Sequence, residues 1–277
     1  MRKALSMLLV TAMMLAMLSV PAFADDGCTT YPYITMDNSD DFTIVKQGTS
    51  STEYVKAVGL DASYVKNDFT SLEDDYITWT TSDSSVVKFY NDYYQEVNSI
   101  TGKDTVTLKM KGIGAATVTI TYNPPDDSPI SVTSYVVVEG TTYTGDATGI
   151  SVEAATDSTT YCSQTNLTVE EFSLDDIFGS SFDDDDVLKN SPSAIHALLY
   201  ALELENDSDG CTDVDDANWD WDWVSANVQL DSEGSYVQKI GDDWYWQYKL
   251  NGVEVQNASS ATALENGDDV GFEKSSW

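Results

Sequence analysis

Five tryptophans crowd two short stretches near the C-terminus: Trp219, Trp221 and Trp223 alternate with Asp220 and Asp222, and Trp244 and Trp246 flank Tyr245. If each stretch is a strand, the alternation sets the indoles of each on one face. A buried indole removes about 150–250 Å² from water and is ordinarily core. Three on one face of so small a domain exceed what a core needs. The surplus suits a platform for a flat ring: a sugar, a corrin, or a partner's apolar patch. A second grouping is Glu205-x-Asp207-x-Asp209-Gly210, followed by Asp213 and Asp216. It places oxygen ligands and a glycine at the spacing of an EF-hand calcium loop, with Ca2+ the candidate ion. Glutamate stands first and aspartate last, the reverse of the usual order.

Catalytic chemistry finds less support. His196 is the only histidine, so no histidine-rich metal site can form, and no G-x-S-x-G elbow accompanies it. Set between Ile195 and Ala197, it reads as structural. Among 47 acids no carboxylate pair can be singled out as a glycosidase site. The expectation is a non-enzymatic protein. Cys28, Cys162 and Cys211 include no C-x-x-C pair; an exported chain could join Cys162 to Cys211 or keep three thiols.

The acids outnumber 13 Lys+Arg, for a formal net charge of −34 over 277 residues. Such a surface repels phosphate, which excludes nucleic acid as a partner and argues against docking on anionic lipid. Disorder is excluded by a content that is 42% hydrophobic and 11% aromatic. The acid is concentrated late, with 28 acids against 4 bases after residue 148. A ligand there is expected to be neutral, cationic or metal-bridged.

These side chains need elements to hold them. Residues 1–24 read as a secretory signal peptide: Arg2 and Lys3, an apolar run from Leu8 to Val20, then Ala22-Phe23-Ala24 with cleavage after Ala24. The apolar run is short for a bilayer span, and no later segment is a candidate. Residues 30–140 hold β-type runs between turn residues, among them Tyr76–Thr80, Val106–Met110, Ala116–Tyr122 and Tyr135–Val138, which predicts a β-sandwich. Residues 141–159 read as a linker with one short strand at Gly149–Val152. In residues 160–277, Ser191-Pro192-Ser193 opens a helix of about 13 residues, with Ser191 at the cap and Pro192 in the first turn, and Ile195, Leu198, Leu199 and Leu202 on one face. Strands are expected at Asn166–Phe172, Trp221–Val224, Ser235–Lys239, Trp244–Leu250 and Val270–Glu273, giving an α+β domain.

Two resemblances sharpen this. The stretch Ile77-Thr78-Trp79-Thr80-Thr81-Ser82-Asp83-Ser84-Ser85-Val86-Val87, with Gly112-Ile113-Gly114-Ala115-Ala116-Thr117-Val118-Thr119-Ile120-Thr121 after it, resembles the bacterial Ig-like group 2 domain, whose usual role is a spacer or adhesive stalk. Ser193–Leu199, Trp246-Gln247-Tyr248-Lys249-Leu250-Asn251-Gly252 and Asn266-Gly267-Asp268-Asp269-Val270-Gly271-Phe272 resemble, in order, three motifs of the transcobalamin-like C-terminal domain. His196 departs from that pattern, where an acid is common, as does Thr262, where a tyrosine is expected. This second resemblance implies a β-grasp-like domain with one principal helix. It further implies that the strand Trp246–Asn251, including Tyr248, and the turn at Gly252 lie near a ligand, with a corrinoid the specific candidate.

The chain is therefore expected to be mostly β: an Ig-like sandwich followed by a small α+β, β-grasp-like domain. Its expected function is a secreted or cell-surface-associated binding protein for a small-molecule or carbohydrate ligand, with Trp219, Trp221, Trp223, Trp244, Trp246, Tyr248 and Asn251 as contacts. The alternative is an extracellular adhesin or polysaccharide-binding protein.

Overall fold

The computed structural model describes residues 28–37, 43–125, 127–179, 185–206, 214, 219–231, 234 and 236–274. The expected signal peptide lies outside them, as do Cys211, Asp207, Asp209, Asp213 and Asp216. The chain is mostly β, in two modules with one principal helix.

The first module contains β1 (Tyr33–Met36), β2 (Thr43–Gln47), β3 (Thr52–Leu60), β4 (Lys66–Asp68), β5 (Ile77–Thr81), β6 (Val87–Tyr90), β7 (Glu96–Val97), β8 (Ser99–Thr101), β9 (Thr105–Met110), β10 (Gly114–Tyr122) and β11 (Ile130–Glu139). One sheet runs β1-β3-β9-β6-β7, with β4 on β3, and the other runs β2-β11-β10-β5-β8. The first two strands go to different sheets: β1 pairs antiparallel with β3, and β2 pairs parallel with β11. This division is how an Ig-like sandwich closes both sheets with one N-terminal segment. Alternation is clean along β9 and β10, whose inward side chains fill the core. Trp79 is fully buried there and its indole N–H donates to the Lys103 carbonyl at 2.9 Å, so it is core rather than surface. Gly112 is required by crowding: a Cβ there would lie 2.6 Å from the Ser85 carbonyl oxygen.

The second module contains β12 (Ala147–Ala155), β13 (Thr160–Val169), α1 (Asp175–Phe178), α2 (Ala194–Asn206), α3 (Asp222–Asn227), β14 (Val228–Leu230), β15 (Val237–Ile240), β16 (Asp243–Trp244), β17 (Trp246–Leu250), β18 (Val253–Glu254) and β19 (Asp269–Lys274). Its main sheet runs β13-β12-β19-β17-β18, with β12 parallel to β19. A leading hairpin, a helix across the sheet and a last strand inserted beside the first make the expected β-grasp-like arrangement. A small second sheet runs β14-β15-β16.

Three expectations are corrected. Residues 141–159 are no simple linker: β12 takes nine of them and sits between β13 and β19. Its alternating pattern was masked by Thr, Gly and Ala, which pair in a sheet without looking apolar. The stretch Trp221–Val224 is not a strand. The Asp222 N–H turns back on the Asp220 carboxylate at 3.2 Å and α3 begins at once. Finally, Ser193 rather than Ser191 caps α2, since its carbonyl accepts the first helical bond, from Ala197 at 3.1 Å.

Candidate functional site

The aromatic residues of the second module fall into three environments. Trp246 and Tyr248 are buried, on the inward face of β17. Trp246 donates its indole N–H to the Asp243 carbonyl at 3.0 Å, and Tyr248 stacks on Phe272 with ring centres 5.3 Å apart. Among the described residues the Tyr248 hydroxyl finds no hydrogen-bond partner of good geometry. Burial pushes its pKa up, with Thr262 partly offsetting this. These two residues act first as core.

Trp219, Trp221 and Trp223 are half-buried and pack against that core. Trp219 and Trp221 meet edge to face at 5.3 Å and 81°, Trp221 lies 4.7 Å from Phe172, and Trp219 lies 5.3 Å from Tyr200. The shelf is therefore angled, not the single flat platform that a strand would have produced. Its position is set by Glu203, fully buried on α2, whose carboxylate accepts the N–H groups of Trp223 at 3.1 Å and Val224 at 2.7 Å. Those are among the unpaired N–H groups of the first turn of α3, where negative charge is favoured. Nothing in the local spacing marks Glu203 for this task, because its partners are 20 residues on.

Trp244 and Tyr245 form the third environment, exposed at 39% and 48% on the edge strand β16 and just after it. Tyr245 has φ 72°, a left-handed conformation costly for a bulky side chain, and it interrupts what would otherwise be one strand through Leu250. The Lys239 ammonium lies 5.8 Å from the Trp244 ring centre. Beneath this edge Asp243 accepts from Lys274 at 2.6 Å and from the Tyr161 hydroxyl at 2.8 Å; the Lys274 hydrogen bond, then that of Tyr161, holds its pKa below the usual value.

The Asn251 amide is committed to the scaffold. With φ 52° it begins the β17–β18 turn; its Nδ2 donates to Asp268 at 2.9 Å and its Oδ1 accepts the Asp269 N–H at 2.9 Å. Asn266 in turn accepts the Thr148 N–H at 2.8 Å. Two motifs far apart in the chain thus close on each other and on the start of β12. Glu205, the one described member of the proposed calcium loop, stands in the last turn of α2 and accepts from Gln164.

His196 is fully buried at the third position of α2. Its Nδ1 accepts the Ser193 N–H at 3.0 Å and lies 2.7 Å from the Ser193 hydroxyl, and its Nε2 lies 2.9 Å from the Phe172 carbonyl. The Ser193 N–H can only donate, so the proton sits on Nε2. The histidine thus supplies the side-chain arm of a capping box, reaching back to the cap N–H as glutamate or glutamine usually does. Burial, partly offset by the Phe172 hydrogen bond, lowers its pKa to about 4.

The two modules meet through a small buried cluster of Val45, Val137, Leu188, Ala258 and Ala261. Each contributes a buried acid to the junction. Asp186 accepts the Val45 N–H at 3.0 Å, while Glu139 accepts the N–H groups of Asn190 at 2.6 Å and Lys189 at 3.0 Å. Beside this junction lies a cleft of about 520 Å³.

No family model matches the chain and no curated protein matches it. Solved structures resemble it in part. A fragment of the surface-layer protein SbsC, domains 4 and 5, is 17% identical over 39% of this chain and 52% of its own, with a TM-score of 0.26. The chain thus spans about half the length of that fragment. The fibronectin(III)-like modules of Clostridium thermocellum CbhA are 10% identical, over 87% of this chain and 93% of theirs, with a TM-score of 0.24. Mouse clustered protocadherin PcdhgC3 EC1-3 is 9% identical over 87% and 67%, also at 0.24. Likeness at this level carries nothing about function.

Proposed function

We propose that this chain is a non-enzymatic binding protein of the cell exterior, whose second module presents an exposed aromatic edge to a carbohydrate or similar ring-bearing ligand. The observation that carries this reading is the pair Trp244–Tyr245. Two large aromatics stand exposed on a sheet edge, one with strained backbone and the other beside a lysine ammonium. Strain in a bulky residue persists only where its surroundings hold it, and it concentrates where side chains are being presented. The half-buried Trp219, Trp221 and Trp223 shelf is a second aromatic surface of the same module. The leader in the sequence supports export, and no helix among the described residues is long and apolar enough to cross a membrane.

The corrinoid reading rests on the resemblance of the strand Trp246–Asn251. It would ask Trp246 and Tyr248 to leave the core and Asn251 to release its turn, so the carbohydrate reading is favoured. Depletion of the purified protein by insoluble polysaccharides, against Trp244→Ala/Tyr245→Asn and Trp221→Ala/Trp223→Ala variants, tests it. Binding lost in the first pair is expected. Retention by no polysaccharide, together with tryptophan quenching by cobalamin, would replace it with the corrinoid reading.

A further inference from the structure

The junction between the modules contains more than contacts. Its cleft is lined from the first module by Ile113, Ala115 and Val137 and from the second by Leu188, Ala261 and Ala263. The volume, about 520 Å³, falls in the range of small-molecule sites, which favour domain interfaces. Ile113 marks the cleft independently. It is 69% exposed in the β9–β10 turn and leans over Gly140, where a Cβ would lie 3.5 Å from its Cδ1.

The polar lining fixes the ligand's character. Asn257 is used internally: its Oδ1 accepts from the Thr43 hydroxyl at 3.3 Å and its Nδ2 donates to the Ala261 carbonyl at 3.2 Å. The Thr262 hydroxyl donates to the Ala258 carbonyl at 2.8 Å, and the Thr144 hydroxyl donates to that of Ser191 at 3.1 Å. Glu139 is the one ionisable lining residue, and its carboxylate is taken by the N–H groups of Lys189 and Asn190. An anionic ligand would lose its hydration and meet a carboxylate of its own sign, and a cation would have to draw that carboxylate from the two N–H groups that already hold it. The cleft also continues the buried apolar cluster of the junction, so an apolar occupant extends a surface that both modules already share.

We propose that this inter-module cleft is a binding site for a small, uncharged, largely apolar molecule held by both modules at once. The site is separate from the aromatic edge. The test is titration of the full chain with the neutral dye Nile red, compared with Ile113→Asp, Ala115→Trp and Trp244→Ala. Ile113 and Ala115 are exposed, so their substitutions leave the fold intact, as melting temperature verifies. The expected result is one saturable site, weakened about tenfold or more by Ile113→Asp and by Ala115→Trp and unchanged by Trp244→Ala. No saturable binding, or binding that both cleft variants retain, overturns the proposal. Loss in Trp244→Ala alone overturns it too, because the dye then reports the aromatic edge.

Discussion

The single histidine makes one prediction unusually clean. Protonating His196 would place an N–H on Nδ1, directly against the Ser193 N–H that now donates to it at 3.0 Å, in a fully buried site. The folded pKa is about 4 against the ordinary imidazole value of 6.5. The unfolded chain therefore binds the extra proton first as pH falls, and stability drops between about pH 6.5 and pH 4 and is complete above that window. Between pH 7.5 and 4.5 the difference is on the order of 2.5 kcal/mol. Carboxylates add their own pH dependence, so the comparison is urea unfolding of wild type and His196→Gln at both pH values. Glutamine can still accept the Ser193 N–H but does not titrate. Wild type should lose about 2.5 kcal/mol more than the variant over that interval. Nitrogen NMR of the lone imidazole should show the Nε2–H tautomer, with no titration above pH 5. A ring that titrates near its ordinary value, or parallel pH profiles for the two proteins, would refute the capping-box argument.

Other consequences are as direct. Glu203→Ala strips the first turn of α3 of a charged acceptor and should cost about 2–3 kcal/mol by urea unfolding. It should also raise the exposure of Trp223, read as a red-shifted emission. Glu139→Ala removes the acceptor of two N–H groups from the junction, so calorimetry should resolve two transitions in the variant and a single one in the wild type. Burial pushes the Cys162 thiol up to about 12; iodoacetamide at pH 8 should leave it unmodified in the native protein and alkylate it in urea.

How far the sequence could be read depended on whether the signal was local. Strands β9 and β10 alternate with period two because one face meets the core and the other water, so their positions were legible. The helix α2 was legible in length, though its apolar stripe understates it: residues Ala194 to Glu203 are buried all round, because α3 and the Ser259–Ala261 turn cover what would be its outer face. The Trp-Asp-Trp-Asp-Trp stretch misled because alternation is also what a capped turn running into a short helix can show. The deciding acceptor, Glu203, lies in another element. The pairing of Asn251 with Asp268 was likewise hidden, since the two stand 17 residues apart on different motifs. The strained Tyr245 gives no sequence signal at all, because tyrosine does not advertise a left-handed backbone.

The end of β11 carries a legible sign of something else. A sandwich strand with one face in water should alternate, yet Val136, Val137, Val138 and Glu139 are buried in succession. Val136 and Val138 face the sandwich core, while Val137 joins the junction cluster. The run of valines therefore reports a second buried face, and that face is the other module. Asp186 and Glu139 are buried there, and the backbone N–H groups they accept offset the desolvation of their charge. Each carboxylate meets backbone N–H groups of the opposite module, which fixes one relative placement. Any hinge opening would exchange these hydrogen bonds for contacts with water. The Ig-like module forms one wall of the cleft, and the junction places the second module against it through buried contacts.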